Sequence, residues 1–285
     1  MKENGAGEQA GCVAVCRDVT WFAKEDYMVT YDYLHPSHRG ENLVHVTRLH
    51  VADLVCAARH DQVLDLPSGT GALTQLLLDR GIEVASADLH PECLVVPNRH
   101  CIRADLNARL PFADAQFDAF VCVEGIEHIE SPHHFAREAN RILRVGGKVY
   151  VTTPNILSIR SRISYLLRGY PKQFHYMVEV DPRIGLEQPI AHINPIGFLE
   201  LRYVLSRWGF QVDAPRTNCL QKSHSLLYRL IRLFMLTKGI KSARSHSRVA
   251  QVRKMLLSDE VLFGESLILS ATKVADSGQR DLDHW

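Results

Sequence analysis

Two carboxylates and a histidine fall within five residues in the sequence Glu124-Gly-Ile-Glu127-His128, and a second histidine, His192, follows later. These side chains can converge if the segment is a strand end that turns into a helix. Three interpretations stay open. The set could bind a divalent cation such as Mg²⁺, His128 could act as a general base, or the cluster could be structural, with Glu127 capping a helix and His192 packing beneath it.

A second group of polar residues follows a short apolar run that ends at Asp65. The small-residue turn 67–71 and a leucine-rich helical pattern come next, so a strand, a tight loop and a helix start are predicted. Gly69 and Gly71 let the backbone approach a ligand closely, and the helix N-terminus offers unpaired N–H groups. Asp88 ends the next apolar run about twenty residues on, the spacing at which an acid meets a ribose diol in nucleotide folds.

The elements that must position these residues alternate between apolar runs and amphipathic stretches. Predicted strands cover residues 62–66, 82–87, 99–102, 117–123 and 147–153, followed by an antiparallel pair at 210–213 and 266–272. Predicted helices cover residues 42–58, 71–80, 133–143 and 195–208. We therefore expect an α/β fold with a Rossmann-like, seven-stranded, mostly parallel sheet, an antiparallel terminal strand, an N-terminal helical segment and basic helical insertions. Such sheets bind ligands at the carboxyl ends of their strands.

The chain of 285 residues suits one domain with extensions. The predicted organisation is an N-terminal extension and helical lid over 1–58, a core domain over 59–275 with insertions at about 155–190 and 214–258, and a tail over 276–285. The aromatic-rich stretch 21–40 either covers a ligand or caps one edge of the core.

Five segments resemble, in order, the class I S-adenosylmethionine-dependent methyltransferases: VLDLPSGTG, VASADL, IRADLN, LPFADAQFDAFVCVEGIEHI and ANRILRVGGKVYVTTPN. The resemblance implies S-adenosylmethionine as the cofactor. Its methionine end would lie in the loop 65–71, its ribose on Asp88, and its adenine between Leu89 and Asp105. The cofactor-binding residues implied in this way are Asp65, Ser68, Gly69, Gly71, Asp88, Leu89, Asp105, Leu106 and Glu124.

Pro67 departs from this family pattern, which usually has glycine at its position. Proline fixes φ near −65° and has no N–H. The turn must therefore need neither a positive φ nor that donor. This residue motivates one alternative function, a non-catalytic scaffold that binds the cofactor.

The Glu-x-x-Glu-His pattern with a distant histidine resembles two groups within the superfamily, the ubiquinone-pathway O-methyltransferases and the small-RNA 3′-terminal 2′-O-methyltransferases. Both are associated with a divalent cation. Carried over by position, the resemblance implies Glu124, Glu127, His128 and His192 as metal ligands. Glu127 and His128 are also the predicted catalytic residues.

Two stretches without acidic residues, 155–178 and 214–258, interrupt a nearly neutral chain of net charge +1. The second contains a predicted basic amphipathic helix over 225–236. Such a helix can lie on an anionic membrane, bind nucleic-acid phosphates, or form a core or dimer contact. The first stretch also resembles bacterial methyltransferases encoded with surface-polysaccharide functions.

The seven cysteines are scattered and odd in number, which is typical of reduced thiols in the cytoplasm. Cys12 and Cys16 lack a nearby second ligand pair, so a zinc site there is disfavoured. No apolar run reaches the roughly 18 residues of a membrane span. We therefore predict a cytoplasmic protein that could associate peripherally with the inner membrane face.

Oxygen methylation is favoured over nitrogen methylation, because the chain reads VEGIEH after the fourth strand and lacks an Asn-Pro-Pro-Tyr signature. No Ser/His/Asp hydrolase arrangement is visible. We expect a methyltransferase that acts on a small-molecule, glycan or lipid- or quinol-type hydroxyl. An RNA 2′-O-methyltransferase is the alternative function, and the non-catalytic scaffold is the second alternative.

Overall fold

The structure is a computed structural model that describes residues 39–174, 192–221, 230, 233 and 248–276. Its helices are α1 Arg39–Ala57, α2 Ala72–Leu78, α3 Pro132–Ile142, α4 Ile159–Arg168, α5 Phe198–Arg207, α6 Arg248–Leu256 and α7 Asp259–Phe263. Its strands are β1 Gln62–Asp65, β2 Glu83–Asp88, β3 Cys101–Arg103, β4 Phe117–Cys122, β5 Leu143–Pro154, β6 Phe210–Val212, β7 Arg216–Thr217 and β8 Ser266–Lys273. Two 3₁₀ turns cover Pro91–Cys93 and Ile126–His128.

One sheet forms the centre of the molecule, with the strand order β3-β2-β1-β4-β5-β8-β6. Strands β1 to β5 pair in parallel, while β8 runs antiparallel to both β5 and β6. The predicted mostly parallel sheet with antiparallel terminal pairing is confirmed. It has one unpredicted member, because the two-residue β7 also pairs with β8.

The start of β5 differs from the prediction. The predicted strand covers residues 147–153, but β5 begins at Leu143. The extra residues form an irregularity in the pairing with β4, where the register shifts between Phe117 and Ala119. Gly146 has φ +85°, a conformation that an L-residue rarely adopts, so the glycine allows this bulge inside the strand.

The core lies on both faces of the sheet, as a parallel sheet covered by crossover helices requires. Successive residues of β1 and β4 alternate between two clusters: Leu64 and Phe120 pack on one face, and Val63 and Val121 pack on the other. All four side chains are almost fully buried. The apolar runs in the sequence are therefore strands buried on both sides, which fixes where their polar ends must emerge.

Helix α1 confirms the predicted N-terminal helix and packs against the sheet. Val51, Ala52 and Val55 lie on one helix face, at spacings of one and four residues, and join the cluster that contains Leu73 and Leu77 of α2. This packing holds the N-terminal helix beside the glycine-containing loop.

Several sequence predictions lie outside the described residues. They are the aromatic-rich stretch over 21–38, Cys12 and Cys16, residues 175–191 of the first insertion, most of the predicted helix over 225–236, and the tail beyond Asp276. Within the described ranges, no helix combines the length and the apolar character that a membrane crossing requires.

Candidate active site

The loop after β1 joins the first two strands of the sheet. Gly69 and Gly71 have φ values of +53° and +86°. The Gly69 N–H donates to Asp88 Oδ2 at 2.8 Å, and the Ser68 N–H donates to the Ala87 carbonyl at 2.9 Å. The loop and Asp88 therefore form one hydrogen-bonded unit at the carboxyl ends of β1 and β2.

Pro67 fits this loop without the donor or the positive φ that glycine could supply. The Leu66–Pro67 peptide bond is cis, and Pro67 is not among the residues with positive φ. Its ring packs against Gly125, where a Cβ atom would come within 2.7 Å of Pro67 Cδ. The departure from the family pattern is thus accommodated by the neighbouring glycine.

Ser68 and Gly71, both predicted to contact the cofactor, lie in packed surroundings. The Ser68 hydroxyl is buried and stands 3.5 Å from Cys101 Sγ. A Cβ atom on Gly71 would lie 2.4 Å from Val96 Cγ2 and 2.6 Å from Leu94 Cδ1. Gly71 is therefore required because the segment between β2 and β3 crosses directly over it.

Asp65 is buried at the end of β1, where it accepts a hydrogen bond of 2.7 Å from Thr74 Oγ1. Burial raises the pKa of Asp65 to about 7, although Thr74 and the charge of Arg48 lower it. A cation beside this carboxyl, such as an ammonium or a sulfonium, would favour its ionised form.

A cavity of about 340 Å³ opens at the carboxyl edge of the sheet. This volume lies in the range of small-molecule sites, about 300–1,000 Å³. Its lining includes four predicted cofactor-binding residues, Asp88, Leu89, Asp105 and Leu106. Pro67, His90, Asn107, Gly125, His128, Ile129 and Ile193 contribute further surface. The cavity therefore joins the predicted nucleoside end to the predicted catalytic histidine.

The two acids of the nucleoside end are oriented by backbone donors. Asp88 Oδ1 accepts from the His90 N–H at 2.9 Å, and Asp105 Oδ1 accepts from the Asn107 N–H at 2.8 Å. Leu89 is 46% exposed and offers an apolar surface between them. This arrangement suits a ribose diol and an adenine ring.

The other end of the cavity is built from two segments that are distant in sequence. The Glu127 carbonyl accepts from the N–H groups of Ile193 and Asn194 at 2.9 and 3.0 Å. This docking brings the rings of His128 and His192 to a centroid distance of 4.8 Å. His192 Nδ1 lies 2.9 Å from the Gln173 carbonyl and must donate to it, which leaves Nε2 of the neutral ring as an acceptor or ligand.

The Glu127 side chain has no solvent exposure, and neither carboxylate oxygen makes a hydrogen bond with the described residues. Burial, followed by the neighbouring Glu124 carboxylate, raises the pKa of Glu127 well above its usual range. Ligand atoms of Glu127, His128 and His192 all lie within 4.8 Å of one another. A buried carboxylate without a partner is costly, so this set fits a bound cation or a retained proton.

Glu124 lies beside this set of three, because its carboxylate neighbours that of Glu127, and its place among the metal ligands stays a prediction. Its Oε1 accepts from Thr152 Oγ1 at 2.9 Å, and its own N–H donates to the same hydroxyl at 2.9 Å. The residue adopts a positive φ of +49°. Glu124 thus turns towards β5 beside the methionine end of the loop, and burial raises its pKa.

Arg48 is a functional candidate that the sequence analysis missed. It lies on α1 three residues before Val51, on the inward face of the helix. Burial lowers the pKa of the Arg48 guanidinium, and the Asp65 and Glu124 carboxylates partly offset this effect. The sequence contained one signal for this position. Arg48 lies at helical spacing from the apolar residues Val51, Ala52 and Val55, which are buried.

Comparisons with known proteins agree with this geometry. A family described as a methyltransferase domain matches residues 64–151. The demethylmenaquinone methyltransferase of Tropheryma whipplei (strain Twist) is 32% identical over 97 residues, which cover 32% of this chain and 41% of that protein. The ubiquinone biosynthesis O-methyltransferase of Chromobacterium violaceum is 29% identical over 160 residues, which cover 52% of this chain and 65% of that protein. The chain thus spans between about two fifths and two thirds of the length of these relatives.

The fold is shared with solved structures. A chain in the complex between the Haloferax volcanii Trm112 methyltransferase activator and a methyltransferase has a TM-score of 0.52 and 17% identity, and the match covers 82% of this chain and 92% of that chain. At this identity the likeness concerns the fold alone. The similarity to methyltransferase domains is carried by the sequence match over residues 64–151, which is about a third of the chain.

Proposed function

We propose that this protein is an S-adenosylmethionine-dependent methyltransferase that acts on a hydroxyl group. The observation that carries the proposal is that one cavity is lined both by Asp88 and Asp105 and by His128. A cofactor held by its nucleoside on the two acids would extend past the loop at Asp65. Its reactive centre would then lie near the histidine end.

When bound, S-adenosylmethionine would supply a sulfonium methyl group that an acceptor oxygen attacks in line, and S-adenosylhomocysteine would be the leaving group. The chain contributes orientation and a place for the proton. In the simplest form of the reaction, His128 accepts the hydroxyl proton as the new C–O bond forms and the S–C bond breaks. The names of the ubiquinone biosynthesis relatives support oxygen as the acceptor atom, and we propose a quinol, glycan or lipid-linked alcohol as the substrate class.

A divalent cation is a second element of the proposal, and the donor set supports it. Glu127 offers a buried carboxylate without a hydrogen-bond partner among the described residues, and His192 has its Nδ1 committed to a carbonyl. Glu127, His128 and His192 would hold the ion, which would lower the pKa of an acceptor hydroxyl. If His128 is a ligand, it is not the base, so the two forms of the mechanism exclude each other.

Calorimetric titration with S-adenosylhomocysteine, with and without Mg²⁺, tests both elements. Micromolar binding supports the cofactor site, and its absence overturns the proposed function. Methyl transfer is then screened with quinols, catechols and sugars that carry vicinal hydroxyls. Loss of turnover on adding a chelator, restored by Mg²⁺, supports the cation, whereas full turnover in the chelator assigns His128 as the base.

Contact with an anionic membrane surface is part of the same proposal, because a lipid-linked acceptor resides there. Tyr165, Leu166 and Leu167 of α4 are 61, 81 and 76% exposed. The exposed Arg160 and Arg168 lie on the same helix, and no acid occurs in it. Apolar side chains flanked by cations suit the interface of an anionic bilayer.

Sedimentation with liposomes that contain anionic phospholipid measures this contact. The double change Leu166→Glu and Leu167→Glu should abolish co-sedimentation at low salt. Val145→Glu is a matched control, because Val145 is 61% exposed on the bulge of β5. The membrane contact is refuted if the wild type and the double variant bind the liposomes equally. It is also refuted if the wild type does not bind them.

A further inference from the structure

Asn107 lies in the connection after β3 and lines the cavity between its two ends. Its N–H donates to Asp105 Oδ1 at 2.8 Å, on the nucleoside side. Its side-chain oxygen accepts from the Glu130 N–H at 2.8 Å, two residues after His128. One exposed asparagine thus bonds to both Asp105 and the segment that carries His128.

A second contact joins the same loop to α3, the helix that follows the segment 127–130. The His134 ring nitrogen Nε2 lies 2.9 Å from the Ala108 carbonyl and must donate to it. On its far side, the histidine segment is held by the N–H groups of Ile193 and Asn194, which donate to the Glu127 carbonyl. The loop 105–108, the segment 127–130 and the segment 192–194 are therefore connected by hydrogen bonds in series.

We propose that Asn107 is a positioning residue that couples occupancy of the nucleoside end to the placement of His128. The inference rests on the proposed function, because it takes the ligand at Asp105 to be the adenosyl group. A ligand that orders the loop 105–108 would, through Asn107, also order the segment 127–130. The conformational entropy of that segment is then lost when the cofactor binds. An acceptor that binds second therefore finds His128 already ordered.

The atoms involved define a specific variant series. Asn107→Ala removes the acceptor for the Glu130 N–H but keeps the backbone N–H that orients Asp105. Asn107→Asp keeps an acceptor oxygen at the same position. Arg109→Ala changes an exposed residue two positions further along the same loop and serves as the matched control.

The experiment measures backbone hydrogen exchange in residues 126–131, with and without saturating S-adenosylhomocysteine. In the wild type, the ligand should slow exchange in this segment by about 5-fold or more, the lower end of typical coupling between sites. In Asn107→Ala the slowing should fall below about 2-fold, because the hydrogen bond from the Glu130 N–H to the loop 105–108 is lost, while the contact of Ala108 with His134 on α3 remains. Asn107→Asp and Arg109→Ala should keep the wild-type response.

The outcomes separate this inference from the function on which it rests. If the wild type does not bind S-adenosylhomocysteine, the proposed function fails and the inference fails with it. If the wild type binds the ligand but exchange over 126–131 does not slow, the coupling is refuted while the cofactor site stands. Equal slowing in the wild type and in Asn107→Ala would likewise refute the role of Asn107.

Discussion

The two ends of the cavity differ in how their acidic groups are satisfied. At the nucleoside end, Asp88 and Asp105 accept hydrogen bonds from backbone N–H groups, so the fold itself orients them. At the histidine end, Glu127 is fully buried and makes no hydrogen bond with the described residues. At the first end, the protein itself supplies hydrogen-bond donors to both carboxylates. At the second end, the Glu127 carboxylate requires a proton or a cation to balance its charge.

The largest loss of cofactor affinity should follow from Asp88→Ala, which removes an acid of the nucleoside end. The variant removes a charged acceptor for the ribose and leaves the Gly69 and His90 N–H groups without their partner. Hydrogen bonds to a charged group contribute about 1.5–3 kcal/mol each, so the Kd for S-adenosylhomocysteine should rise by about 100-fold. Calorimetric titration measures it. Glu83→Ala, an exposed position on the same strand, is the control, and equal affinities of the two variants would contradict this assignment.

The opposite result is expected at the histidine end. Glu127→Leu replaces a buried carboxyl that has no hydrogen-bond partner among the described residues by an apolar side chain of similar size. Removal of an unsatisfied buried group should stabilise the ligand-free fold by about 1–3 kcal/mol. Thermal unfolding should show a higher Tm for this variant and a lower Tm for Asp88→Ala. A lower Tm for both variants would remove the contrast between the two ends.

A smaller loss of affinity should follow from Arg48→Met. This variant tests the site proposed for the methionine part of the cofactor, beside the loop 65–71. Arg48 is the cation near Asp65 and Glu124, and it can pair with the carboxylate of the cofactor. The Kd for S-adenosylhomocysteine should rise by about 10-fold, equivalent to about 1.4 kcal/mol. The Kd for 5′-methylthioadenosine, which lacks that carboxylate, should not change. Arg59→Met, exposed just beyond α1, is the control, and equal loss for both ligands would contradict the pairing.

The same contrast explains what the sequence could predict. Asp65 and Asp88 were predictable because each ends a largely buried strand of a parallel sheet, and the ends of such strands meet at one edge, whereas Asp105 was implied by the family resemblance. Gly69 and Asp88, nineteen residues apart, are joined by a hydrogen bond for this reason. Local pattern and topology were sufficient to bring Asp65 and Asp88 to one edge of the sheet.

Glu124, Arg48 and Asn107 were not predictable in their observed roles. Thr152, on the neighbouring strand, bonds both the N–H and the carboxylate of Glu124, a contact that the position of Glu124 in the sequence does not indicate. Arg48 is significant only because the inward face of α1 packs beside the loop, and Asn107 only because the Glu130 N–H points towards it. These are contacts between segments far apart in sequence, which periodicity and spacing do not specify.

The smallest predicted effect concerns the pH dependence of cofactor binding through Asp65. Burial raises the pKa of this group from an ordinary value of about 4 to about 7. Between these values the folded protein without ligand retains a proton that the unfolded chain has lost, so the contribution of Asp65 to stability falls as the pH rises from about 4 to about 7. A cationic cofactor beside Asp65 favours the carboxylate, so its binding should release a proton in the same window.

The affinity for S-adenosylmethionine should accordingly increase with pH up to about 7 and then level off, with a change of at most about 10-fold between pH 6 and 8. Calorimetry at pH 6.5 in two buffers of different ionisation enthalpy measures the released proton directly. Asp65→Asn should abolish the release, because the amide accepts the Thr74 hydrogen bond without titrating. If the variant still releases the proton, the titrating group lies elsewhere, and Glu127 at the incompletely satisfied end of the cavity becomes its source.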